Sequence, residues 1–251
     1  MVDASFNPFS LSGKTILVTG ASAGIGKAIA VACFQMGATV IINGRNQERL
    51  VGTLRELAGE SHQAIPADLA IAEERTRLVE SLPKLDGLVQ CAGVGSRVPC
   101  KMIGKGDLEQ VFVPNVEAPI LLQTELLAKK KINKAASIVF IASKAASFPS
   151  VGNAAYSASK GAIISYAKCL ALELAPRLIR VNCICPAMVW TDLILQSGIP
   201  KEDLEEAQLK YPLKRYGRPE DVAYLAIYLL SDASSWMTGT CVDLTGGAKK
   251  L

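Results

Sequence analysis

Thr19-Gly20-Ala21-Ser22-Ala23-Gly24-Ile25-Gly26 is the most informative stretch of this 251-residue chain. It follows an apolar run, Thr15-Ile16-Leu17-Val18, and opens a segment of helical periodicity over 25–36. Strand, glycine turn and helix, in that order, let a loop hold a dinucleotide pyrophosphate. Gly20 permits a turn that a Cβ would block. Gly24 and Gly26 let backbone approach phosphate and strand closely. Free N–H groups at the helix start then point at the anion. Ser22, Ala23 and Ile25 complete the set of candidate contacts on this loop. The spacing is Gly-x-x-x-Gly-x-Gly rather than Gly-x-Gly-x-x-Gly, and a plain strand-to-helix turn is the competing reading.

The same alternation continues along the chain. Apolar runs at 15–18, 39–43, 63–66, 87–90, 137–142, 180–185 and 241–244 read as strands. Helical periodicity fills 25–36, 47–58, 72–81, 107–130, 154–174 and 219–230. Runs apolar on both faces and joined by helices imply an α/β chain with a parallel sheet covered on both sides. Right-handed crossovers make it a single-domain Rossmann fold, a doubly wound seven-stranded parallel sheet. The length suits one domain over 1–251. Segment 189–215 breaks the rhythm, with helical pieces and no strand. It follows Pro186 at a strand end, where open α/β sheets bind ligands. It reads as a substrate flap; a structural helix pair on the rim is the alternative.

Composition narrows the function classes. Apolar residues make up 50% of the chain and charged residues 20%, with a net charge of +4. That balance supports a sizeable core and gives no basic arm for nucleic acid. Residues 1–11 lack a basic start and a long apolar stretch, so no signal peptide is expected. No run is long enough to span a bilayer. The seven cysteines form no Cys-x-x-Cys, and Cys183 and Cys185 alternate on one face of a strand, as small buried thiols do. This usage suits a reducing cytoplasm. The single histidine, His62, reads as a solvated loop residue, and no metal site is expected.

Tyr156-Ser157-Ala158-Ser159-Lys160 puts Tyr156 and Lys160 one helical turn apart on one face. The order of parts matters more than the pair itself. A glycine turn near the start, Asn115 mid-chain, Ser143 at a strand end, then Tyr156 and Lys160, resembles the short-chain dehydrogenase/reductase family. The resemblance runs from about Leu11 to Gly247. Gly217-Arg218-Pro219-Glu220-Asp221-Val222-Ala223 and Val242-Asp243-Leu244-Thr245-Gly246-Gly247 are similar to the branch that contains 3-oxoacyl-carrier-protein reductases.

The end of the second strand bears on the cofactor. An acidic residue there takes the ribose 2′-OH of NAD. Gly44 stands in that place, and Arg45 follows, a guanidinium able to clamp a 2′-phosphate. NADP(H) is therefore expected in preference to NAD(H). By the resemblance, Asp68 meets the adenine edge, with Leu69 beside it, although Asp68 could instead cap the helix near Ala70. Cys91, Ala92 and Gly93 stand where the family commonly has Asn-Ala-Gly. Pro186, Val189 and Thr191 match the segment that holds the nicotinamide amide. Ala187 replaces a usual glycine there, so the backbone must avoid positive φ.

The catalytic set implied by the resemblance is Asn115, Ser143, Tyr156 and Lys160. Tyr156 is the general acid in reduction and the base in oxidation. Lys160 favours its phenolate and holds the nicotinamide ribose. Ser143 hydrogen-bonds the substrate oxygen as charge develops. Asn115 binds a water in a relay to Lys160. Ser143 as a turn serine and Asn115 as a helix-kink residue are the alternatives. The expected reaction is NADPH-dependent reduction of a ketone, first a 3-oxoacyl thioester on acyl carrier protein. A sugar, polyol or hydroxysteroid dehydrogenase is the runner-up, and a non-catalytic dinucleotide sensor a distant one. Lys129, Lys130, Lys131 and Arg177 match helix ends near the active-site entrance of carrier-protein reductases, where basic residues meet an acidic partner; a solvated helix end is the alternative. The resemblance also implies a homotetramer assembled through helices 107–130 and 154–174.

Overall fold

The computed structural model describes residues 6–59, 61–196 and 198–248. Its strands are β1 (Thr15–Thr19), β2 (Thr39–Gly44), β3 (Gln63–Pro66), β4 (Leu85–Gln90), β5 (Ile132–Ile141), β6 (Arg180–Pro186) and β7 (Cys241–Leu244). They form one sheet in the order β3-β2-β1-β4-β5-β6-β7, every neighbouring pair parallel. The strand order reverses between β1 and β4. An open α/β sheet has its ligand crevice at such a reversal, outside the carboxyl ends of the strands.

The helices are α1 (Gly24–Gln35), α2 (Gln47–Leu54), α3 (Ala72–Ser81), α4 (Lys105–Phe112), α5 (Ala118–Ala128), α6 (Ala154–Leu174), α7 (Asp192–Leu195), α8 (Lys201–Gln208) and α9 (Pro219–Leu230). The strands divide their side chains between two cores. Leu17, Ile138 and Phe140 pack with Leu78 of α3, Leu122 of α5 and Ile163 of α6. Their neighbours Ile16, Val18, Val139 and Ile141 face the other way, onto Ile29 of α1, Leu50 of α2 and Val222 of α9. This two-sided burial is why the strands read as unbroken apolar runs. Each fully buried Leu, Ile or Phe contributes about 1.5–3 kcal/mol.

Some element boundaries differ from the sequence expectation. The helix expected over 107–130 is interrupted by a π-helical turn, Val113–Glu117, between α4 and α5. Pro114 lacks an N–H and cannot continue the regular ladder. α4 also begins earlier, at Lys105, where the Asp107 carboxylate accepts from the Gly104 N–H at 2.8 Å. β5 begins at Ile132, five residues before the expected start, and carries an irregularity at Ala135, whose φ is 61°. α2 stops at Leu54 rather than reaching residue 58. His62 is not a solvated loop residue: its Nδ1 accepts from Val40 N–H at 3.0 Å and its ring meets Phe34 edge-on at 5.2 Å. It ties the loop before β3 to the start of β2.

Segment 189–215 contains α7 and α8 and has its own small core of Ile194, Leu204, Tyr211 and Tyr216. Trp190 Nε1 donates to Gln208 Oε1 at 3.1 Å, and a single bridge, Val189 to Gly217, joins its two ends. All seven cysteines are free, with Cys100 and Cys169 exposed and Cys183 and Cys185 buried. No helix among the described residues is long and apolar enough to cross a membrane.

Candidate active site

A cleft of about 1470 Å³ opens along the carboxyl edge of the sheet. The turn after β1 forms its floor, and three glycines there have steric reasons to be glycine. A Cβ on Gly20, whose φ is +66°, would lie 2.8 Å from Ala92 Cα. On Gly26 it would lie 2.3 Å from the Gly20 carbonyl oxygen, shorter than any real contact. Gly24 has φ +54° and faces the Thr191 methyl. Ser22, Ala23 and Ile25 line the cleft between them. The turn is thus backbone-lined and opens directly into α1. That is the cradle a pyrophosphate needs, with helix N–H groups at its base.

The next strand ends add walls. Thr19 Oγ1, on the last residue of β1, accepts from Cys91 N–H at 3.1 Å and Ala92 N–H at 3.2 Å, binding the two turns together. Cys91 lines the cleft; burial pushes its thiol up to about 12, so it is an uncharged contact at neutral pH. At Gly93 a Cβ would sit 2.9 Å from Asn115 Oδ1 and 3.4 Å from Lys160 Nζ, so backbone passes close to both. Arg45 and Asp68 face each other across the end of β2, Nη1 to Oδ2 at 3.9 Å, with Arg45 mostly exposed. Asp68 also accepts from Ala70 N–H at 3.0 Å in a local turn, but it does not cap α3, whose N-cap is Ile71 with no side-chain bond. Leu69, Pro186, Val189 and Thr191 line the same cleft. Ala187 keeps an ordinary backbone conformation: it is absent from the positive-φ residues.

Ser143, Tyr156 and Lys160 meet at this cleft. Ser143 Oγ accepts from Ala145 N–H at 3.1 Å, capping a short turn after β5, which leaves its own proton free to donate. Lys160 is buried; its Nζ donates to the Ile141 carbonyl at 2.9 Å and stands 5.8 Å from the Tyr156 ring centre. The strand end that positions Ser143 therefore also anchors Lys160. Asn115 is different. It is 2% exposed and lies behind the cleft wall. Its Oδ1 accepts from Val94 N–H at 2.8 Å, and its Nδ2 donates to Val94 O at 2.9 Å and to Ser159 Oγ at 3.1 Å. Its side chain is wholly engaged in bracing the loop after β4 against α6. The π turn at Pro114 is what aims it there.

Several residues at the site carry no sequence signal. Lys144, next to Ser143, is buried with its Nζ 2.5 Å from Asp243 Oδ2 and over the Phe148 ring at 4.3 Å. It fastens the Ser143 turn to β7. Arg97, Phe148, Ser150 and Asn153 line the outer half of the cleft. The lysine cluster is displaced from its expected place. Lys129 pairs with Glu80 at 3.4 Å, and Lys131 Nζ donates to the Leu82 and Glu80 carbonyls. Lys129–Lys131 lead into β5, their partners Glu80 and Leu82 lie just before β4, and Arg177 precedes β6, so all four cations lie at the amino edge of the sheet. Within one chain that is the edge opposite the cleft.

A family described as Enoyl-(Acyl carrier protein) reductase matches residues 20–249. The chain belongs to the short-chain dehydrogenase/reductase family. It is an NAD(P)-dependent oxidoreductase of the alcohol dehydrogenase/ketone reductase type. A 3-oxoacyl-[acyl-carrier-protein] reductase of Rickettsia felis is 36% identical, over 94% of this chain and 97% of its own length. A solved putative NAD(P)-dependent gluconate 5-dehydrogenase from Beutenbergia cavernae, with bound NADP, superposes with a TM-score of 0.85 at 34% identity, covering 96% of this chain and 98% of that one. A 3-ketoacyl-(acyl-carrier-protein) reductase from Brucella melitensis, complexed with NADH, gives a TM-score of 0.85 at 30% identity, covering 95% and 99%. Members of the family that resemble this chain thus differ in both substrate and coenzyme.

Proposed function

We propose that this protein is an NADPH-dependent reductase that converts a ketone to a secondary alcohol, with a 3-oxoacyl thioester as its first substrate class. The observation that carries the reaction is the convergence of Ser143, Tyr156 and Lys160 on one cleft beside a glycine cradle shaped for a dinucleotide. The cofactor, when bound, supplies the hydride. The remaining work falls to this chain. Ser143 donates a hydrogen bond, not its proton, to the carbonyl oxygen, and that bond strengthens as charge develops. Tyr156 delivers a proton to the same oxygen. Lys160, held by the Ile141 carbonyl, stabilises negative charge left on the tyrosine oxygen and reaches the ribose. Asn115 acts by holding the Val94 loop in place rather than by side-chain contact with the reacting atoms. Segment 189–215, with its separate core, covers the substrate as a flap.

The preference for the 2′-phosphorylated coenzyme rests on Gly44 and Arg45. No carboxylate stands at the end of β2, and the guanidinium of Arg45 is exposed toward the cleft with only a 3.9 Å contact to Asp68. The carrier-protein reading rests on assembly. Leu108, Leu121 and Leu172 expose apolar surface on α4, α5 and α6, which suits a homotetramer. A two-fold axis across α6 makes the paired helices antiparallel. The Arg177 end of one then lies beside the Tyr156 end of the other, a helix length of roughly 30 Å from its own. The amino-edge cations would in that way flank a neighbouring cleft. A second reading, a sugar-acid or polyol dehydrogenase, is favoured by the polar outer wall of Ser96, Arg97 and Asn153.

The test is coenzyme oxidation followed by absorbance with both coenzymes and three ketones: a 3-oxoacyl thioester, a keto sugar acid and a neutral cyclic ketone. The expected result is turnover of the thioester with NADPH well above NADH. Equal use of NADH removes the Arg45 argument. Preference for the sugar acid establishes the second reading. Salt sensitivity confined to carrier-linked thioester supports docking, since steering weakens as the Debye length shrinks.

A further inference from the structure

Four cations line the cleft: Arg45, Arg97, Lys160 and Lys210. Lys160 donates to a carbonyl, and Arg45 and Lys210 each have one long carboxylate contact of 3.9 Å, to Asp68 and Glu206. Arg97 has neither an ion pair nor a hydrogen-bond partner among the described residues. Its backbone is nevertheless fixed on both sides. Three residues earlier, Val94 has both its N–H and its carbonyl bound by Asn115. One residue later, Val98 N–H donates to Gly152 O at 2.8 Å. Gly152 belongs to the loop between Ser143 and Tyr156, so Arg97 is placed over the substrate half of the cleft rather than the coenzyme half. Arg97 is exposed at the cleft, and its guanidinium, on a pinned loop and without a carboxylate partner, is available to an anion that arrives from outside.

We propose that Arg97 is a specificity-determining residue, reading an anionic oxygen group on the part of the ketone substrate remote from the carbonyl. The group is a carboxylate or a phosphate; both present oxygens at the spacing of the guanidinium fork. A carboxylate would come from a keto acid, and a phosphate from the pantetheine arm of a thioester. The inference rests on the ketone-reductase reading and names what that site selects. Asp203, on α8, also lines the cleft and has no cationic partner among the described residues. A latch in which Arg97 closes the flap onto Asp203 is the rival role for this side chain.

Two matched substrate pairs test the inference. One is a keto acid and its methyl ester. The other is a 3-oxoacyl pantetheine phosphate thioester and the corresponding unphosphorylated pantetheine thioester. In each pair the reacting ketone is the same and only the anion is removed. The expected result is that Arg97→Ala lowers the ratio of kcat/KM for the anionic over the neutral member by roughly 10–100-fold, as loss of a charged hydrogen bond does. The loss appears in KM, because the contact is the same in ground and transition states. Arg97→Lys restores part of it. The pair that responds identifies the source of the anion. Calorimetric binding of the reduced, non-reacting hydroxy acid and of pantetheine phosphate should weaken by the same factor in Arg97→Ala. An unchanged ratio in both pairs, with neutral ketones still turned over by the wild type, overturns the inference alone. No turnover of any ketone by the wild type overturns the reading beneath it. If Arg97→Ala and Asp203→Asn depress neutral and anionic substrates alike, the latch is correct and the anion reader is wrong.

Discussion

Replacing Asn115 by alanine separates bracing from chemistry at this site. The side chain makes three hydrogen bonds, two to the backbone of Val94 and one to Ser159 Oγ, at 2.8, 2.9 and 3.1 Å. Each contributes about 1 kcal/mol net, and the Val94 N–H and carbonyl left without partners add a desolvation cost, giving about 3–5 kcal/mol in total. For a chain of this size each kcal/mol moves Tm by about 2–4 °C, so thermal unfolding should shift down by roughly 10 °C. The same loop carries Gly93, whose backbone passes both Asn115 and Lys160, and leads on to Arg97. Coenzyme affinity, measured by fluorescence titration at a temperature where the variant is folded, should therefore fall together with Tm. Differential scanning calorimetry and the titration on one protein preparation are sufficient. If kcat drops by about 10²-fold while Tm and coenzyme affinity stay at wild-type values, the bracing argument is refuted. The Asn115 side chain would then belong to the proton path.

Other expectations follow from the same geometry. Tyr156→Phe keeps the ring and removes the proton, so kcat should fall about 10²-fold or more with coenzyme binding retained; more than a tenth of wild-type kcat would remove Tyr156 from the general-acid role. Gly44→Asp with Arg45→Leu should swing preference toward NADH, since a carboxylate repels a 2′-phosphate and accepts from a 2′-OH; the new Cβ meets Ser22 Oγ at 3.3 Å, so only a small side-chain shift is needed. An unaltered NADPH/NADH ratio would show that neither residue touches the ribose. Asp221 is bonded by Arg215 at 2.6 and 3.0 Å, which holds its carboxyl below the usual carboxylate range. That pair stabilises the fold above the unfolded carboxylate value of about 4, and its contribution disappears as pH falls through the lowered native value. The Tm difference between wild type and Asp221→Asn should accordingly be constant near neutrality and shrink below about pH 4; a difference that widens in acid contradicts the sign.

The doubly wound sheet was legible in local pattern, as was the shared face of Tyr156 and Lys160 in the candidate site. Runs such as Ile138 to Ile141 are apolar at every position because alternate residues enter opposite cores, and that pattern needs no knowledge of the partners. Tyr156 and Lys160 share a face because helix geometry is local, and the glycines of the first turn mark backbone crowding that their own spacing announces. Tertiary structure decided the rest. Asn115 is a brace because Val94, 21 residues away, comes to meet it. His62 is a strand tether because Val40 presents an N–H to it. Lys129 to Lys131 look like a helix end in sequence, yet only the sheet's polarity shows that they occupy the edge opposite the cleft in their own chain. Arg97 carries no motif at all. Its role comes from a loop pinned between Asn115 and Gly152, two contacts that exist only once β4, the π turn and the segment before α6 are brought together. Local periodicity fixes which face a residue takes, whereas contacts between residues far apart in the chain fix what that face meets.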